Sequence, residues 1–349
     1  MVERCLYQPV TIGSLKLPGN LFLAPVAGYT DWVFRSLCIE QGADLTFTEL
    51  ISAEALVRSP AGRQGAAKAL DFGKTGDLLR RAINDSLYAV QLFGADPELM
   101  YQAACLLAPL KPDIVDINAG CPVPKVIKAG AGAALTREPA RLGKITAAVA
   151  RASAEALGNA PVTVKIRSGW DSASLTFHEA AWAAVENGAA MVTLHPRTRA
   201  QGYSGKSAWT QIADLASRLP VPVAGSGDLF SPEDAREMLR ETGCAAVMFA
   251  RGAIGNPFIF STARALLTLG GYTAPDPVER IAAGLRHLEL LAAGLGERGA
   301  CLEMRKHFHA YTKTLYHGPG LPGGAALRDK LAHAETIAQY RAILGAWQA

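Results

Sequence analysis

The sequence contains few cysteines, and their spacing suits neither a disulfide framework nor a zinc site. All six are scattered and no CxxC pair occurs, which favours a reducing, cytoplasmic location and gives no sign of a metal centre. Pro, Gly or a charged residue interrupts each apolar run before it reaches membrane-spanning length. A charged start followed by an apolar signal core is also missing. We therefore expect neither a membrane protein nor an exported one.

Strong charge of either sign is missing as well. Only 19% of the residues are charged, and the formal net charge is +4. Such a surface is compatible with a polyanionic partner but falls well short of a bulk electrostatic binder. Half of the 349 residues are hydrophobic, which excludes a disordered chain and provides for one large core with a small appendage.

Short apolar segments of strand length alternate with longer helical stretches along most of the chain. The eight candidate strands are residues 21–25, 45–49, 88–92, 114–118, 162–166, 191–195, 221–225 and 246–250. Eight such units suffice to close a parallel barrel, so the predicted fold class is α/β, a (β/α)8 TIM barrel. Ahead of them, residues 10–17 predict a hairpin around Gly13 that could plug the bottom of the barrel.

Two further segments are predicted outside the repeating units. A helix over 258–267 and a run of breakers over 270–277 precede residues with helical apolar spacing. We therefore predict a barrel domain over 1–268 and a C-terminal all-helical domain over 271–349. Residues 59–87, between the second and third strands, are predicted to form an excursion over the barrel mouth.

Polar residues gather where the predicted strands end. In this fold the C-terminal strand ends converge on one mouth, where active sites lie. The residues at these ends are Gln91, Asn118, Lys165, Arg167, His195, Arg197, Ser226, Gly227, Asp228, Arg251 and Gly252. Six consecutive strand ends carry them, which favours an active site over scattered core polarity.

The chemistry of these residues suits a phosphate-bearing, electron-rich ring. Glycine-bearing turns after strands seven and eight occupy the place where many barrels bind phosphate, although glycines also simply make tight turns. Lys165 could form a Schiff base, balance a buried carboxylate or stabilise negative charge on a ring, and alone it does not decide. Gln91 and Asn118 can bond to a heterocycle edge. Together they suit a flavin, whose N1–O2 edge gains charge on reduction.

Cys121 lies in the most distinctive segment, residues 116–125, within a loop constrained by Pro and Gly. The other five cysteines are interpreted as small buried hydrophobes. The nearby charges of Lys125 and Lys128 could tune the pKa of the Cys121 thiol. This thiol could be a nucleophile or a proton donor, and a thiol acid suits reduction of an activated C=C bond.

A dinucleotide fingerprint is not predicted. Gly130 and Gly132 resemble its beginning, but Leu135 stands where the third glycine belongs. A nicotinamide cofactor would therefore have to visit the barrel mouth and leave.

These motifs, in this order, resemble the tRNA-dihydrouridine synthases, most of all a bacterial branch of that family. The resemblance runs nearly end to end and is carried by residues 24–31, 90–92, 116–122, 164–170, 195–199, 226–228 and 250–251. It implies an FMN-dependent oxidoreductase that uses NADPH to reduce the C5–C6 double bond of specific uridines in tRNA to 5,6-dihydrouridine. In that reaction hydride reaches C6 and Cys121 protonates C5.

The resemblance also implies roles for individual residues. FMN would be held by Pro25, Val26, Ala27, Gln91, Lys165, His195, Ser226, Gly227, Asp228, Ala250 and Arg251. The substrate nucleotide would lie near Asn118, Lys125, Arg167 and Arg199. Val26 and Ser226 replace a methionine and an asparagine that are usual in the family, and both are expected to bind through backbone atoms.

The helical tail is expected, from the same resemblance, to help hold the RNA. The candidate contacts are Arg305, Lys306, His307, His309, Lys313, His317, Arg328 and Lys330. A solvated helical face is the alternative, because acidic residues are interspersed among them. No obligate protein partner is indicated.

Three other functions stay open from the sequence. The first is an FMN-dependent dehydrogenase or reductase that acts on a free pyrimidine. The second is an RNA-binding flavoprotein without chemistry. The third is a lyase or aldolase that uses Lys165 as a Schiff base.

Overall fold

The strands of the protein fall into a hairpin and a barrel in the part of the chain that this computed structural model describes, residues 5–64, 70–313 and 323–348. In chain order they are β1 (Val10–Ile12), β2 (Leu15–Leu17), β3 (Leu21–Leu23), β4 (Leu45–Ser52), β5 (Ala89–Phe93), β6 (Ile114–Ala119), β7 (Val162–Arg167), β8 (Ala189–His195), β9 (Val223–Ser226) and β10 (Ala246–Phe249). Strands β3 to β10 form a closed barrel in which every neighbouring pair is parallel and β10 returns to β3. Each of the eight predicted barrel strands overlaps one of them, so the predicted TIM barrel is confirmed.

The helices surround the barrel and then continue past it. They are α1 (Trp32–Glu40), α2 (Ala53–Val57), α3 (Pro60–Gln64), α4 (Pro97–Cys105), α5 (Pro124–Lys128), α6 (Pro139–Ala156), α7 (Phe177–Glu186), α8 (Thr210–Arg218), α9 (Pro232–Thr242), α10 (Ile259–Leu269), α11 (Pro277–Leu295), α12 (Glu297–Tyr311), α13 (Gly324–His333) and α14 (Ile337–Gln348). The predicted helix over 258–267 corresponds to α10. Among the described helices, none is both long and apolar enough to cross a membrane.

Local sequence signals explain where these elements begin and end. The six residues of β6 are all buried, as expected for a strand covered on both faces of a parallel sheet. Helix α11 begins with a capping box, in which Asp276 and Glu279 bond each other's backbone N–H groups, and with Pro277 in the first turn. Helix α9 ends at Gly243, whose φ of 63° suits a residue without a Cβ.

The hairpin of β1 and β2 closes the N-terminal end of the barrel. Its buried side chains share a cluster with Phe22, Phe47 and Met191, which come from barrel strands. Gly13 makes its turn with a φ of 56°, and a Cβ there would lie 3.0 Å from Cγ of Pro161, just before β7. The predicted plug is therefore confirmed.

The helical tail, α11 to α14, is joined to the barrel by buried polar contacts. Asp31, which caps α1, has Oδ2 3.2 Å from Nε2 of His287 on α11 and 3.3 Å from Nε2 of His307 on α12. Arg280 donates to the carbonyl of Gly255 at 3.2 Å. The tail thus packs directly on the barrel loops, and its definition as a separate domain over 271–349 stays a prediction.

The described part of the excursion over 59–87 lies beside the barrel mouth. Its 3-10 turn, Gly73–Leu79, packs against β4. Arg80 then stacks over the ring of Trp32 and donates to the carbonyl of Gly294 in α11. No described residue of this segment lines the mouth cavity, and the placement of the segment over the mouth stays a prediction.

Candidate active site

A cavity of about 520 Å³ opens at the C-terminal ends of the barrel strands. The predicted site residues that line it are Pro25, Val26, Ala27, Asn118, Cys121, Lys165, Arg167, His195, Ser226, Gly227, Asp228, Ala250 and Arg251. Its volume falls in the range of small-molecule and cofactor pockets. The strand ends therefore bring most of the predicted set together in one place.

Gln91 lies beneath this cavity and is fully buried. Its Nε2 donates to Oδ2 of Asp116 at 2.7 Å, and its Oε1 accepts a hydrogen bond from Nδ2 of Asn118 at 2.9 Å. Thr163 donates to the other oxygen of Asp116 at 2.6 Å. Burial raises the pKa of Asp116 to about 6, against the effect of these donors and of Lys165. Gln91 thus supports Asn118 from below, and its contact with a cofactor stays a prediction.

Asn118 holds the loop that carries Cys121. Its Oδ1 accepts hydrogen bonds from the backbone N–H groups of Gly120 at 3.1 Å and Cys121 at 2.9 Å. Behind the loop, Ala133 donates its backbone N–H to the carbonyl of Cys121 at 3.0 Å. A Cβ on Gly132 would lie only 2.7 Å from the carbonyl oxygen of Cys121. Gly132 therefore allows the two backbone segments to pack closely, and it does not belong to a dinucleotide-binding motif.

The Cys121 thiol is protonated at neutral pH. Burial raises its pKa, and the backbone N–H of Val123 and the charges of Arg167 and Lys165 offset only part of this effect. The expectation that Lys125 and Lys128 tune the thiol is wrong, because neither contributes to its pKa shift and both are exposed on α5. A protonated thiol in this position can donate a proton into the cavity.

Lys165 places a titratable cation in the same cavity. Burial, followed by the charge of Arg167, lowers its pKa to about 8, while Asp116 and Cys121 act in the opposite direction. It is paired in register with Asn118 on the neighbouring strand. The lysine is therefore positively charged at neutral pH and sensitive to moderately alkaline conditions.

Arg167, at the end of β7, holds two loops at the mouth. Its Nε donates to the carbonyl of Gly120 at 2.8 Å, and its Nη1 donates to the carbonyls of Thr198 at 3.1 Å and Gly202 at 2.8 Å. This bracing role is one that the sequence did not indicate. Of the other predicted substrate residues, Lys125 and Arg199 lie outside the cavity lining.

The turn after β9 is fixed by an ion pair. Nη2 of Arg197 donates to both carboxylate oxygens of Asp228, at 2.8 and 2.7 Å. Asp228 also accepts the backbone N–H of Ser207 at 2.8 Å and lies 3.4 Å from Nη2 of Arg251. The carboxylate of Asp228 is therefore committed to protein groups.

Gly227 occupies a position that a larger residue cannot enter. Its φ is 107°, and a Cβ would lie 2.3 Å from Oγ of Ser207 and 2.7 Å from Cδ2 of His195. In the described residues the backbone N–H groups of Gly227, Asp228 and Arg251 donate no hydrogen bond. This turn thus offers backbone donors to an anion.

His195 is neutral. Burial lowers its pKa well below the usual range, and Lys165, Arg167, Arg197 and Arg251 act in the same direction. Its Nε2 lies 3.3 Å from Nη1 of Arg197, which can only donate, so Nε2 is the acceptor and Nδ1 carries the proton.

Tyr203 was missed by sequence reasoning. It lines the cavity with 57% of its surface exposed, and Cζ of Arg251 lies 4.7 Å from the centroid of its ring. An aromatic residue in a loop flanked by Gly202 and Gly205, shortly after a strand end, was the available signal.

The basic residues predicted in the tail separate into buried and exposed groups. His307 is buried against Asp31, so its prediction as an RNA contact is wrong. Arg328 donates to the carbonyl of Thr312 at 3.1 Å. His309, Lys313 and Lys330 are exposed, Arg305 and Lys306 are half-buried, and His317 lies outside the described residues.

The group formed by Asp31, His287 and His307 has the ligand types of a metal site, with its ligand atoms within 4.8 Å of one another. No sequence motif indicates this group, because its three residues come from three separate segments of the chain. Oδ1 of Asp31 already accepts the backbone N–H groups of Val33 and Phe34 at 2.9 Å, as the cap of α1. These three residues therefore form a polar contact between the barrel and the helical tail.

Comparison with solved structures shows the barrel alone, because sequence identity to them is low. The chain matches 6-hydroxypseudooxynicotine amine oxidase from Pseudomonas geniculata N1 with a TM-score of 0.56 at 15% identity, over 82% of this chain and 52% of that one. It matches an old yellow enzyme homologue from Zymomonas mobilis with a TM-score of 0.50 at 14% identity, over 77% of this chain and 94% of that one.

Curated relatives are far more similar in sequence. A probable tRNA-dihydrouridine synthase of Treponema pallidum is 49% identical over 349 residues, covering 99% of this chain and 97% of the relative. The tRNA-dihydrouridine synthase B of Pseudomonas aeruginosa is 35% identical, covering 88% of this chain and 87% of the relative. The model of the dihydrouridine synthase family matches residues 22–345. With the barrel mouth described above, these matches establish that the chain belongs to the dihydrouridine synthase family.

Proposed function

We propose that this chain is a cytoplasmic, NADPH-dependent tRNA-dihydrouridine synthase that reduces the C5–C6 double bond of specific uridines. The observation that carries the proposal is the thiol of Cys121, held by Asn118 at a mouth that also contains the side chain of Lys165. Membership of the dihydrouridine synthase family supports it.

FMN is the resident cofactor that the residues of the mouth fit. The unused backbone N–H groups of Gly227, Asp228 and Arg251 suit its phosphate, together with the side chain of Arg251. The hydroxyl of Ser226 donates to the carbonyl of Met248 at 3.0 Å, so its side chain is already bonded to a protein group. The residues proposed to hold FMN are Pro25, Val26, Ala27, Gln91, Lys165, His195, Ser226, Gly227, Asp228, Ala250 and Arg251.

When bound and reduced by NADPH, this cofactor supplies the hydride that is added to C6 of the uracil ring. Cys121 then donates the thiol proton to C5, and the resulting thiolate takes a proton from solvent before the next turnover. Lys165 supplies positive charge next to an electron-rich ring system. Asn118 fixes the loop from which the thiol acts.

The target uridine has to leave the RNA stack to enter a barrel mouth. Such extrusion costs a few kcal/mol, which contacts with the base and the phosphates offset. Asn118 and Arg167 are proposed to lie near the uracil, while Lys125 and Arg199, outside the cavity, are proposed to contact sugar and phosphate. The tail, residues 271–349, is proposed to contact the rest of the tRNA through its exposed basic residues.

The test combines a cellular measurement with one on the purified protein. Mass spectrometry should find dihydrouridine missing at specific tRNA positions in cells that lack this protein, and restored by its expression. The purified protein should be yellow, release FMN on denaturation and oxidise NADPH in the presence of an unmodified tRNA transcript. Colourless protein that takes up no FMN would overturn the proposal. Turnover of free uracil or uridine instead of tRNA would favour the free-pyrimidine enzyme.

A further inference from the structure

Two arginines lie over one tryptophan at the rim of the mouth. Cζ of Arg137 is 4.9 Å, and Cζ of Arg199 4.7 Å, from the ring of Trp170. Arg137 is exposed, and the other two side chains are half-buried. Stacking on an aromatic face holds a guanidinium in place while its N–H groups stay available to a ligand. We call these three residues the rim stack.

The charges of the rim stack are not neutralised. Among the described residues neither arginine takes part in an ion pair. The neighbouring carboxylates have other partners, because Glu138 pairs with Arg141 at 3.2 Å and Asp171 accepts the backbone N–H of Ala173 at 3.0 Å. Two unpaired guanidinium groups close together favour an anionic ligand.

The rim stack is tied to the loops that form the active site. Arg199 donates its backbone N–H to the carbonyl of Gly169, and Ala200 donates to the carbonyl of Trp170, both at 2.9 Å. Arg137 ends the 3-10 turn Gly132–Arg137, which packs against the carbonyl of Cys121. The two cations therefore stand at a fixed place beside the opening of the cavity.

We propose that the rim stack binds backbone phosphates of the RNA next to the extruded uridine. This inference rests on the proposed function, since a nucleotide whose base enters the cavity leaves its sugar and flanking phosphates at the rim. Each guanidinium presents several N–H donors in a fork that matches phosphate oxygens. Arg137 and Trp170 thereby join Arg199 as residues that position the substrate.

The experiment measures binding of an unmodified tRNA transcript over a range of KCl concentrations by fluorescence anisotropy. R137Q and R199Q should each weaken binding about tenfold at fixed salt, as expected for loss of a charge-assisted contact. Each should also lower the slope of log Kd against log salt by about 1, and the double variant by about 2. R137K, which keeps the charge, should retain the slope. R141Q is the matched control, because Arg141 is exposed, lies four residues from Arg137 and is paired with Glu138.

A different result is expected if the rim stack only holds the loops together and binds no phosphate. In that case the double variant would melt at a lower temperature, while its slope would match that of the R141Q variant, and the proposal would be overturned. The binding experiment involves no turnover, so it tests the phosphate site independently of the proposed enzymatic function. If the wild-type protein forms no dihydrouridine but the slopes change as expected, the proposed function fails and the phosphate site stands.

Discussion

Asn118 fixes the backbone of Cys121 by accepting its N–H at 2.9 Å, and it is itself fixed by a bond to Gln91. We expect Asn118→Ala to lower kcat on tRNA by about 10- to 100-fold, because loss of a buried hydrogen-bond partner costs about 1–3 kcal/mol. FMN content should stay close to that of the wild type. Single-turnover formation of dihydrouridine checks this, with Thr163→Val as a control that removes a bond to Asp116 but none made by Asn118 itself. An unchanged kcat for Asn118→Ala would show that the loop does not depend on this bond.

Cys121→Ala should bind FMN and still be reduced by NADPH, yet form dihydrouridine at least about 100-fold more slowly. In the wild type the thiol donates a proton only while protonated, and burial raises its pKa. Activity on tRNA should therefore persist to a higher pH than an ordinary thiol would allow, and decline as the thiol ionises. The measurement is the pH profile of the single-turnover rate. Full activity of the alanine variant would remove the proton-donor role.

Lys165 should control retention of FMN in a pH-dependent way. Its pKa is lowered to about 8, so the side chain is charged below this pH and neutral above it. FMN affinity of the wild type should fall as the pH is raised from 7 to 9, because the attraction between this cation and the anionic ligand is lost. Lys165→Met should bind FMN weakly at both pH values, as measured by equilibrium dialysis. Equal affinity of wild type and variant at pH 7 would contradict this.

Gly227→Ala should lose FMN binding more severely than any substitution of an exposed residue. The new Cβ would lie 2.3 Å from Oγ of Ser207, and the φ of 107° adds backbone strain. Fluorescence titration with FMN checks the affinity. Gly202→Ala is the matched control, because its φ is also positive, at 57°, while nothing lies within 4 Å of the added Cβ. Similar affinities for the two variants would mean that crowding at Gly227 is unimportant.

Protonation of the buried side chain of His307 should make the protein less stable in mild acid. Burial lowers its pKa from 6.5 to about 4, so the unfolded chain binds this proton more readily than the folded one. The free energy of unfolding should therefore decrease as the pH falls from 6.5 to 4, by about 3 kcal/mol from this residue. Below 3.8, protonation of Asp31, whose pKa is also lowered, should add to the loss.

The measurement for His307 is urea unfolding at pH 7, 5.5 and 4.5. His307→Gln should flatten the pH dependence, whereas His309→Gln, at an exposed neighbouring histidine, should leave it as in the wild type. Parallel pH curves for the wild type and His307→Gln would refute the assignment.

The barrel could be predicted because its strands, buried on both faces, are nearly continuous apolar runs that end in polar residues. Parallel strands then bring those ends together without further information, which is why Cys121, Lys165 and His195 meet as expected. The partners of each side chain could not be predicted in the same way. Arg167 bonds to carbonyls from two other loops, and His307 meets Asp31 from the opposite end of the chain. Such contacts depend on how distant segments of the chain pack against each other, and local sequence patterns carry no information about this packing.

The plug formed by β1 and β2 has a consequence for the order of events in a turnover. The packed side chains of the hairpin fill the N-terminal end of the barrel, and the described cavity opens at the C-terminal ends of the strands. On the proposed function, the nicotinamide and the target uridine would both need the space above these strand ends, so they would have to bind one after the other. The protein would then have to hold the electrons after the nicotinamide leaves and until the uridine binds, which a tightly bound redox cofactor makes possible.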